Sequence, residues 1–178
     1  MVYTIRASDP GVTGFLQSNG ATSQPHHSHR EKAMRELTLN EVQTMLTEGV
    51  AYAQSIGLPS TIAVVDMGGM IRGVLRPEKG RIANPDIAIK KAWTSAALHR
   101  PTEMVREMMV PGAFGYGLTH TDDRICIVAG GFPIFDDEGD VIGGVGASGG
   151  PIEADIECCL VGMRKLGFKT DFADPHKK

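Results

Sequence analysis

The stretch GGFPIFDDEGDVIGGVGASGGPIEADIE, residues 130–157, decides the fold of this chain. Two apolar runs, 132–135 and 141–145, flank the turn-forming residues 136–139, which predicts two antiparallel strands joined as a hairpin. Glycines at 143, 144 and 146 remove side chains from the second strand. Something must therefore lie close to that strand, and a bound ligand, a packed helix and a neighbouring subunit all remain open.

The same stretch ends in a helix start. Pro151 suits the first helical position, and the free amides there can hold a carboxylate or a phosphate. Glu153 and Glu157 are expected to complement the helix dipole, whereas Asp155 is a candidate functional residue. The backbone between the second strand and the helix, residues 148–150, forms a glycine-rich bend. The flexible backbone of this bend and of residues 130–131 offers further contacts to a ligand. The candidates are Gly130, Gly131, Ser148, Gly149 and Gly150.

Upstream, the sequence predicts alternating helices and hairpins. Thr38 and Glu41 form a capping box at the first helix, residues 61–75 form a hairpin, and Asn84 opens a second helix that ends near residues 99–101. A short helix from Thr102, a loop over 113–123 and a strand over 124–129 follow. These elements predict one α/β domain with about five mainly antiparallel strands and helices packed on them.

Domain boundaries follow from composition. Residues 1–36 have no sustained periodicity and are expected to form a loosely ordered arm, residues 37–170 the folded domain, and residues 171–178 a polar tail. His26, His27 and His29 in the arm allow a metal site, although histidines in a polar run are usually solvated. The arm could also wrap a neighbouring subunit.

Charge and hydropathy exclude several classes of protein. The 178 residues carry a formal charge of −3 with scattered cations, which argues against a nucleic-acid partner. The sequence lacks an apolar run of membrane-spanning length and a secretion signal, so we expect no membrane partner and a cytoplasmic location. Three cysteines without paired spacing do not form a disulfide framework. Cys126 and Cys159 are expected to be buried, and Cys158 is a candidate reactive thiol or interface residue.

Several side chains outside the glycine-rich stretch could carry chemistry. Asp66 follows a strand at a tight turn, where it either bonds the turn backbone or acts in a site. Arg76 could clamp a carboxylate. His120, in the polar loop, is the main candidate for a metal ligand or a general acid/base, and Tyr116 is a lesser one. His99, at a helix end, is expected to complement the helix dipole.

Lys90 and Lys91 are consecutive on a helix, so their side chains point about 100° apart and cannot share one buried face. One of them is therefore expected to be solvated. The expected buried face of this helix carries Ile89, Trp93, Ala96 and Ala97.

Four pieces in order resemble the GlcG/HbpS family of haem-binding or haem-degrading domains, which includes the C-terminal domain of PduO-type proteins. They are TIAVVDMGGMIRGVLR (61–76), DIAIKKAWTSAALHRPT (86–102), GGFPIFDDEGDVIGGVGASGG (130–150) and Asp155. The resemblance implies a three-layer α/β/α domain, similar to profilin-like and roadblock-like folds, that assembles into dimers, tetramers or octamers. It favours Lys91 as the patterned lysine, either neutralising an anionic ligand or pairing with Asp155 or Asp66. Some members bind haem or a corrinoid, and others belong to catabolic pathways.

The leading hypothesis is a homo-oligomeric small-ligand-binding protein with haem or another anionic molecule as its ligand. Its pocket would lie between the glycine-rich strand and the loop 113–123, with Arg76, Lys91 and His120 engaging the ligand. The rival is a cofactor-free catabolic enzyme, an isomerase, hydratase or lyase. There His120 or Lys91 would accept a proton, and Asp155 or Asp66 would orient it. A third hypothesis is an assembly component without a ligand.

Overall fold

The computed structural model describes residues 35–172. Most of the predicted arm, including its three histidines, and most of the predicted tail lie outside these residues. The described chain forms four α-helices, four β-strands and one 3₁₀ turn at Leu118–His120. In chain order the elements are α1 (Leu39–Ser55), β1 (Thr61–Asp66), β2 (Ile71–Leu75), α2 (Asn84–Leu98), α3 (Thr102–Met109), β3 (Gly131–Phe135), β4 (Val141–Ser148) and α4 (Ile152–Lys165).

The strands form one antiparallel sheet in the order β2-β1-β4-β3. Each of the two predicted hairpins contributes one outer and one central strand. The central pair β1–β4 brings Ala63 opposite Gly146, and Gly146 also lies opposite Gly131 on β3. The glycine-rich strand is therefore in the middle of the sheet.

Helices cover both faces, which confirms the predicted α/β/α layering. Helices α1 and α4 pack together on one face, over a core that includes Met45, Ile62, Ile142 and Met163. Helix α2 covers the other face, with α3 beside it against β3. No helix among residues 35–172 is long and apolar enough to cross a bilayer.

The predicted start of α1 is confirmed. The Thr38 hydroxyl accepts a hydrogen bond from the Glu41 amide, and the Glu41 carboxylate accepts one from the Thr38 amide at 2.8 Å. This reciprocal cap satisfies two amides that the helix cannot pair internally.

The expected fifth strand, 124–129, is wrong, because this segment bonds to helix α2 instead of to a strand. Thr94 on α2 donates its hydroxyl to the Arg124 carbonyl at 3.1 Å and accepts the Cys126 amide at 2.8 Å. The Arg124 guanidinium stacks over the ring of Trp93 at 4.0 Å from its centroid. A helix side chain thus takes the backbone groups that a sheet ladder would need.

The glycines of β4 make room for helix α2. A Cβ added to Gly144 would lie 2.3 Å from the Ala92 carbonyl oxygen, and one added to Gly146 would lie 2.3 Å from that of Ala88. The hypothesis that these glycines wall a ligand chamber is therefore wrong. The packing alternative holds, since only glycine lets helix and strand approach this closely.

The buried face of helix α2 consequently differs in part from the one expected, and Ala96 is buried as predicted. Ala88, Lys91, Ala92 and Ser95 are buried against the sheet. Ile89 and Trp93 are only partly buried, and Ala97 is exposed. The sheet side needs small residues because the glycine strand brings the helix close.

Candidate functional site

Lys91 and Asp155 form a sealed ion pair between α2 and the start of α4. The Lys91 ammonium lies 2.9 Å from the Asp155 carboxylate and donates a second hydrogen bond to the Ala147 carbonyl at 2.7 Å. Their side chains are only 1% and 6% exposed. The pairing with Asp155, one of the two partners expected for Lys91, is present, and Lys90 is the exposed lysine.

The glycine-rich bend closes over this pair. Asp155 accepts the Gly150 amide at 3.1 Å, so its two oxygens hold both the lysine and the bend. Gly130 lies against the pair, since a Cβ there would be 2.9 Å from the Asp155 Cβ and 3.1 Å from the Lys91 Nζ. Burial raises the pKa of Asp155, and the Lys91 ammonium opposes that rise. Lys91 and Asp155 thus tie α2, β4 and α4 together instead of facing a cleft.

Other residues of the bend also face protein atoms. A Cβ on Gly131 would meet the Lys91 carbonyl at 2.5 Å, and one on Gly149 would meet Ser60 Oγ at 2.9 Å and Asn84 Nδ2 at 3.0 Å. Ser148 is buried within β4. Sequence reasoning missed Ser60 and Asn84, both buried here, because a polar residue beside a strand or at a helix start gives no signal of burial.

The remaining predicted residues lie apart from the ion pair. Asp66 bonds its own turn, accepting the amides of Gly68 and Met70 at 2.9 Å each, as the structural alternative for this residue predicted. Arg76 is exposed just beyond β2, with its aliphatic stem against Gly80.

The polar loop presents its candidates to solvent. His120 and Tyr116 are both exposed, and Tyr116 is 61% exposed. The only hydrogen-bond contact of the His120 ring within residues 35–172 is to the neighbouring Thr119 hydroxyl, at 3.4 Å. The structure thus does not bring Arg76, Lys91 and His120 together around one cavity.

A different feature has the size and chemistry of a ligand site. A cleft of about 630 Å³ opens between the C-terminal end of α2, helix α3 and the segment after α4. Volumes of about 300–1,000 Å³ are typical of small-molecule sites. Side chains with binding chemistry line it: His99, Arg100, Met104, Phe135, Lys169 and Phe172. We call it the basic cleft.

The basic cleft combines cations with aromatic walls and has no acidic lining residue. The Lys169 ammonium lies 5.7 Å from the ring centroid of Phe135 and 5.9 Å from that of Phe172. Neither Arg100 nor Lys169 forms an ion pair with a carboxylate of the described chain. The acidic turn 136–138 borders an adjoining hollow, which shares Phe135 and Lys169 with the basic cleft. The cleft is therefore suited to a ligand that has both an apolar body and negative charge.

The residues of the basic cleft escaped the sequence analysis, although one of them carried a signal. Arg100 and Lys169 are separated by almost seventy positions, and only Arg100 lies in one of the pieces that carry the family resemblance, 86–102. Phe135 was assigned only to a strand. His99 was assigned to the helix dipole, yet its position at the helix end, next to an arginine, was a usable indication of a cationic surface.

A smaller cleft of about 330 Å³ lies beside the β1–β2 turn. Met70, Ile71, Ile89 and Trp93 make it mainly apolar. Its arginine, Arg124, is already held by the carboxylate of Asp122 at 2.6 Å, which leaves it less suited to an anion than the basic cleft.

The cysteines correct two expectations, the reactivity of Cys158 and the full burial of Cys126. Cys158 is fully buried, and burial raises the pKa of its thiol to about 12. The reactive-thiol hypothesis for Cys158 is therefore wrong, since the thiolate is the reactive form. Cys159 is buried as expected, whereas Cys126 is only partly buried.

The fold and the basic cleft together define a small three-layer α/β/α domain with a candidate site for an anionic, partly apolar molecule. Residues 37–164 match the family model described as haem degrading protein HbpS-like, and the chain belongs to this family. The match lies within the domain predicted over 37–170.

Among characterised relatives, the chain is similar to the corrinoid adenosyltransferase PduO of Salmonella typhimurium, with 31% identity over 151 residues. The alignment covers 84% of this chain and 44% of that protein, so the chain spans less than half the length of this relative.

Two solved structures share the fold. Klebsiella pneumoniae protein ORFY has a TM-score of 0.73 and 30% identity, with 78% of this chain and 95% of that chain covered. A structure described as a complex of PduOC with haem also has a TM-score of 0.73, at 27% identity, with 78% and 100% covered. The match confirms the fold, although the sheet has four strands instead of the expected five.

Proposed function

We propose that this protein binds haem, or a similarly flat tetrapyrrole with carboxylate side chains, in the basic cleft. One observation carries the proposal: a cleft of ligand size has cations and aromatic rings in its lining and no carboxylate. A family relative of the same fold is described in complex with haem, which supports this class of ligand.

The lining residues fit such a ligand. Haem has a large apolar ring system with two propionates on one edge. Phe135, Phe172 and Met104 offer apolar surface to the ring, and thioether and aromatic groups pack well on such surfaces. Arg100 and Lys169 offer charge to the propionates, and an arginine can bind a carboxylate through two parallel hydrogen bonds.

The enzyme alternative receives less support from the geometry. Lys91 and Asp155 satisfy each other and are almost fully buried, so neither is placed to exchange a proton with a substrate. Asp66 is occupied by its turn. His120 is the one exposed proton acceptor of that hypothesis, and it has no described carboxylate hydrogen-bonded to it.

Titration with hemin, followed by its Soret absorbance, tests the proposal. We expect saturable binding to the wild-type protein. The double variant Arg100→Glu/Lys169→Glu should bind about tenfold or more weakly, since each partly exposed charge pair contributes roughly 0.2–1 kcal/mol and reversal adds repulsion.

The matched control is Arg81→Glu/Lys90→Glu, which changes the net charge equally on exposed residues outside the cleft. Its affinity should equal that of the wild type. Equal weakening by both double variants would mean that net charge and not the cleft decides binding, and a wild-type protein without saturable binding would remove haem as the ligand.

The broader expectations belong to the same proposal. A homo-oligomeric assembly, a cytoplasmic location and a role in catabolism stay predictions. Size-exclusion chromatography with light scattering would test the first of them directly, with a monomer as the outcome that overturns it.

A further inference from the structure

His99 ends helix α2 in an unusual backbone conformation. Its φ and ψ are 54° and 33°, in the left-handed region. Its amide and that of Arg100 both donate to the Ser95 carbonyl, which completes the helix cap. Within residues 35–172, Lys79 is the only other residue besides glycine with a positive φ.

This position would suit glycine or asparagine better. Helices that end in a left-handed residue usually have glycine there, because a Cβ crowds the neighbouring carbonyl. Complementing the helix dipole does not account for the choice, since a histidine one turn earlier would serve that purpose with ordinary dihedral angles. A strained residue at the rim of a cleft points to a role for its side chain.

The imidazole of His99 is unpaired within residues 35–172. His99 lines the basic cleft, and none of the described ion pairs involves its side chain. Imidazole is a common axial ligand of haem iron. Arg100, Lys169, Phe135 and Phe172, which would bind the propionates and contact the ring, line the same cleft as His99.

We propose that the imidazole of His99 would bind the haem iron, a role that rests on haem binding in the basic cleft as proposed above. His120, the histidine that the sequence favours, does not line this cleft. Replacing His99 should therefore remove the iron ligand, whereas the same replacement of His120 should leave it in place.

The test compares His99→Asn with His120→Asn in the hemin-loaded protein. Asparagine tolerates the left-handed backbone and removes the imidazole, so the cap is expected to survive. Absorption and resonance Raman spectra report the iron ligand independently of any activity. We expect His99→Asn to lose the iron–imidazole signature and to bind hemin about tenfold or more weakly, while His120→Asn keeps both the spectrum and the affinity of the wild type.

Rescue separates loss of a ligand from loss of structure. Free imidazole added to His99→Gly with bound hemin should restore the iron–imidazole spectrum, and circular dichroism should show an intact fold. An unchanged spectrum in His99→Asn overturns the role of His99. If hemin still binds and still depends on Arg100 and Lys169 in that case, haem binding in the cleft stands and only the ligand assignment fails.

Discussion

Helix α2 and its C-terminal cap carry two groups of basic residues, one buried and paired, the other at an open cleft. In its middle, Lys91 is buried and neutralised by Asp155, and the glycine-rich backbone closes around both. At its C-terminal end, His99 and Arg100 face an open cleft with Lys169 and meet no carboxylate of the described chain. The first region stabilises the junction of three elements, whereas the second leaves its charge available to a ligand.

The comparison teaches that the most recognisable residues of this sequence serve its architecture. Lys91, Asp155 and the glycines of β4 belong to the pieces that carry the family resemblance, and each of them contacts protein atoms. His99, Arg100 and Phe135 lie in the same pieces, yet they line the open basic cleft. The family framework therefore does not by itself specify a ligand.

Lys91→Met should produce the largest change in stability, because it breaks the buried ion pair between Lys91 and Asp155. The variant leaves the Asp155 carboxylate buried without its cation, so we expect the free energy of unfolding to fall by about 3–5 kcal/mol. Chemical denaturation measures this. The double variant Lys91→Met/Asp155→Leu should recover most of the loss, because neither charge then remains buried.

The pH dependence of Lys91→Met provides an internal check. Burial raises the pKa of Asp155 above the ordinary value of 3.8, and removal of Lys91 should raise it further. A carboxyl with a raised folded-state pKa favours folding below 3.8 and loses that contribution as the pH rises through the folded value. The difference in the free energy of unfolding between wild type and Lys91→Met should therefore be smaller at acidic pH than at neutral pH. A deficit independent of pH would mean that Asp155 is not the source of the penalty.

Gly146→Ala should give an intermediate effect and tests the packing of α2 on β4. Its new Cβ would lie 2.3 Å from a helix carbonyl oxygen, so helix or strand must move. Such overpacking costs about 1–3 kcal/mol. Gly68→Ala is the control, since a Cβ there meets only the Asp66 carboxylate, at 3.3 Å. Equal stability of Gly146→Ala and wild type would reopen the possibility of free space beside this strand.

His99→Gly should give the smallest effect on stability, and in the opposite direction. Relief of the left-handed conformation contributes about 1–2 kcal/mol, and the greater freedom of glycine in the unfolded chain offsets about 0.5–1 kcal/mol of it. Thermal unfolding of the ligand-free variant should thus show a modest gain in stability. A loss of stability would indicate that the imidazole supports the fold, contrary to its placement in the open region.

Much of the fold was predictable from local patterns. The cap at Thr38, the hairpin around 61–75 and the start of α2 at Asn84 are confirmed. Helix α4 begins one residue later than expected, at Ile152, with Pro151 as its N-cap. The segment 124–129 was not predictable, because its apolar residues suit a strand and only the distant Thr94 hydroxyl decides otherwise. A tertiary hydrogen bond overrides a local preference there.

The candidate site was far less predictable. Lys91 and Asp155 were correctly singled out, but a sequence does not reveal whether a charged pair is sealed or open. The basic cleft requires the end of α2 to meet the segment after α4, a juxtaposition set by the layering of helices on opposite faces of the sheet. A sequence pattern within one segment does not show that the end of α2 and the segment after α4 lie next to each other.

The most direct measurement of the central claim is paramagnetic broadening of backbone amide resonances by bound ferric haem. The effect falls steeply with distance from the iron, so it maps the binding site without any variant. We predict that the broadened amides cluster at residues 97–104, Phe135 and 169–172, with the amides of Gly149 and Gly150 unaffected. Broadening centred on Gly130, Gly149 and Gly150, or on the loop around His120, would contradict the account.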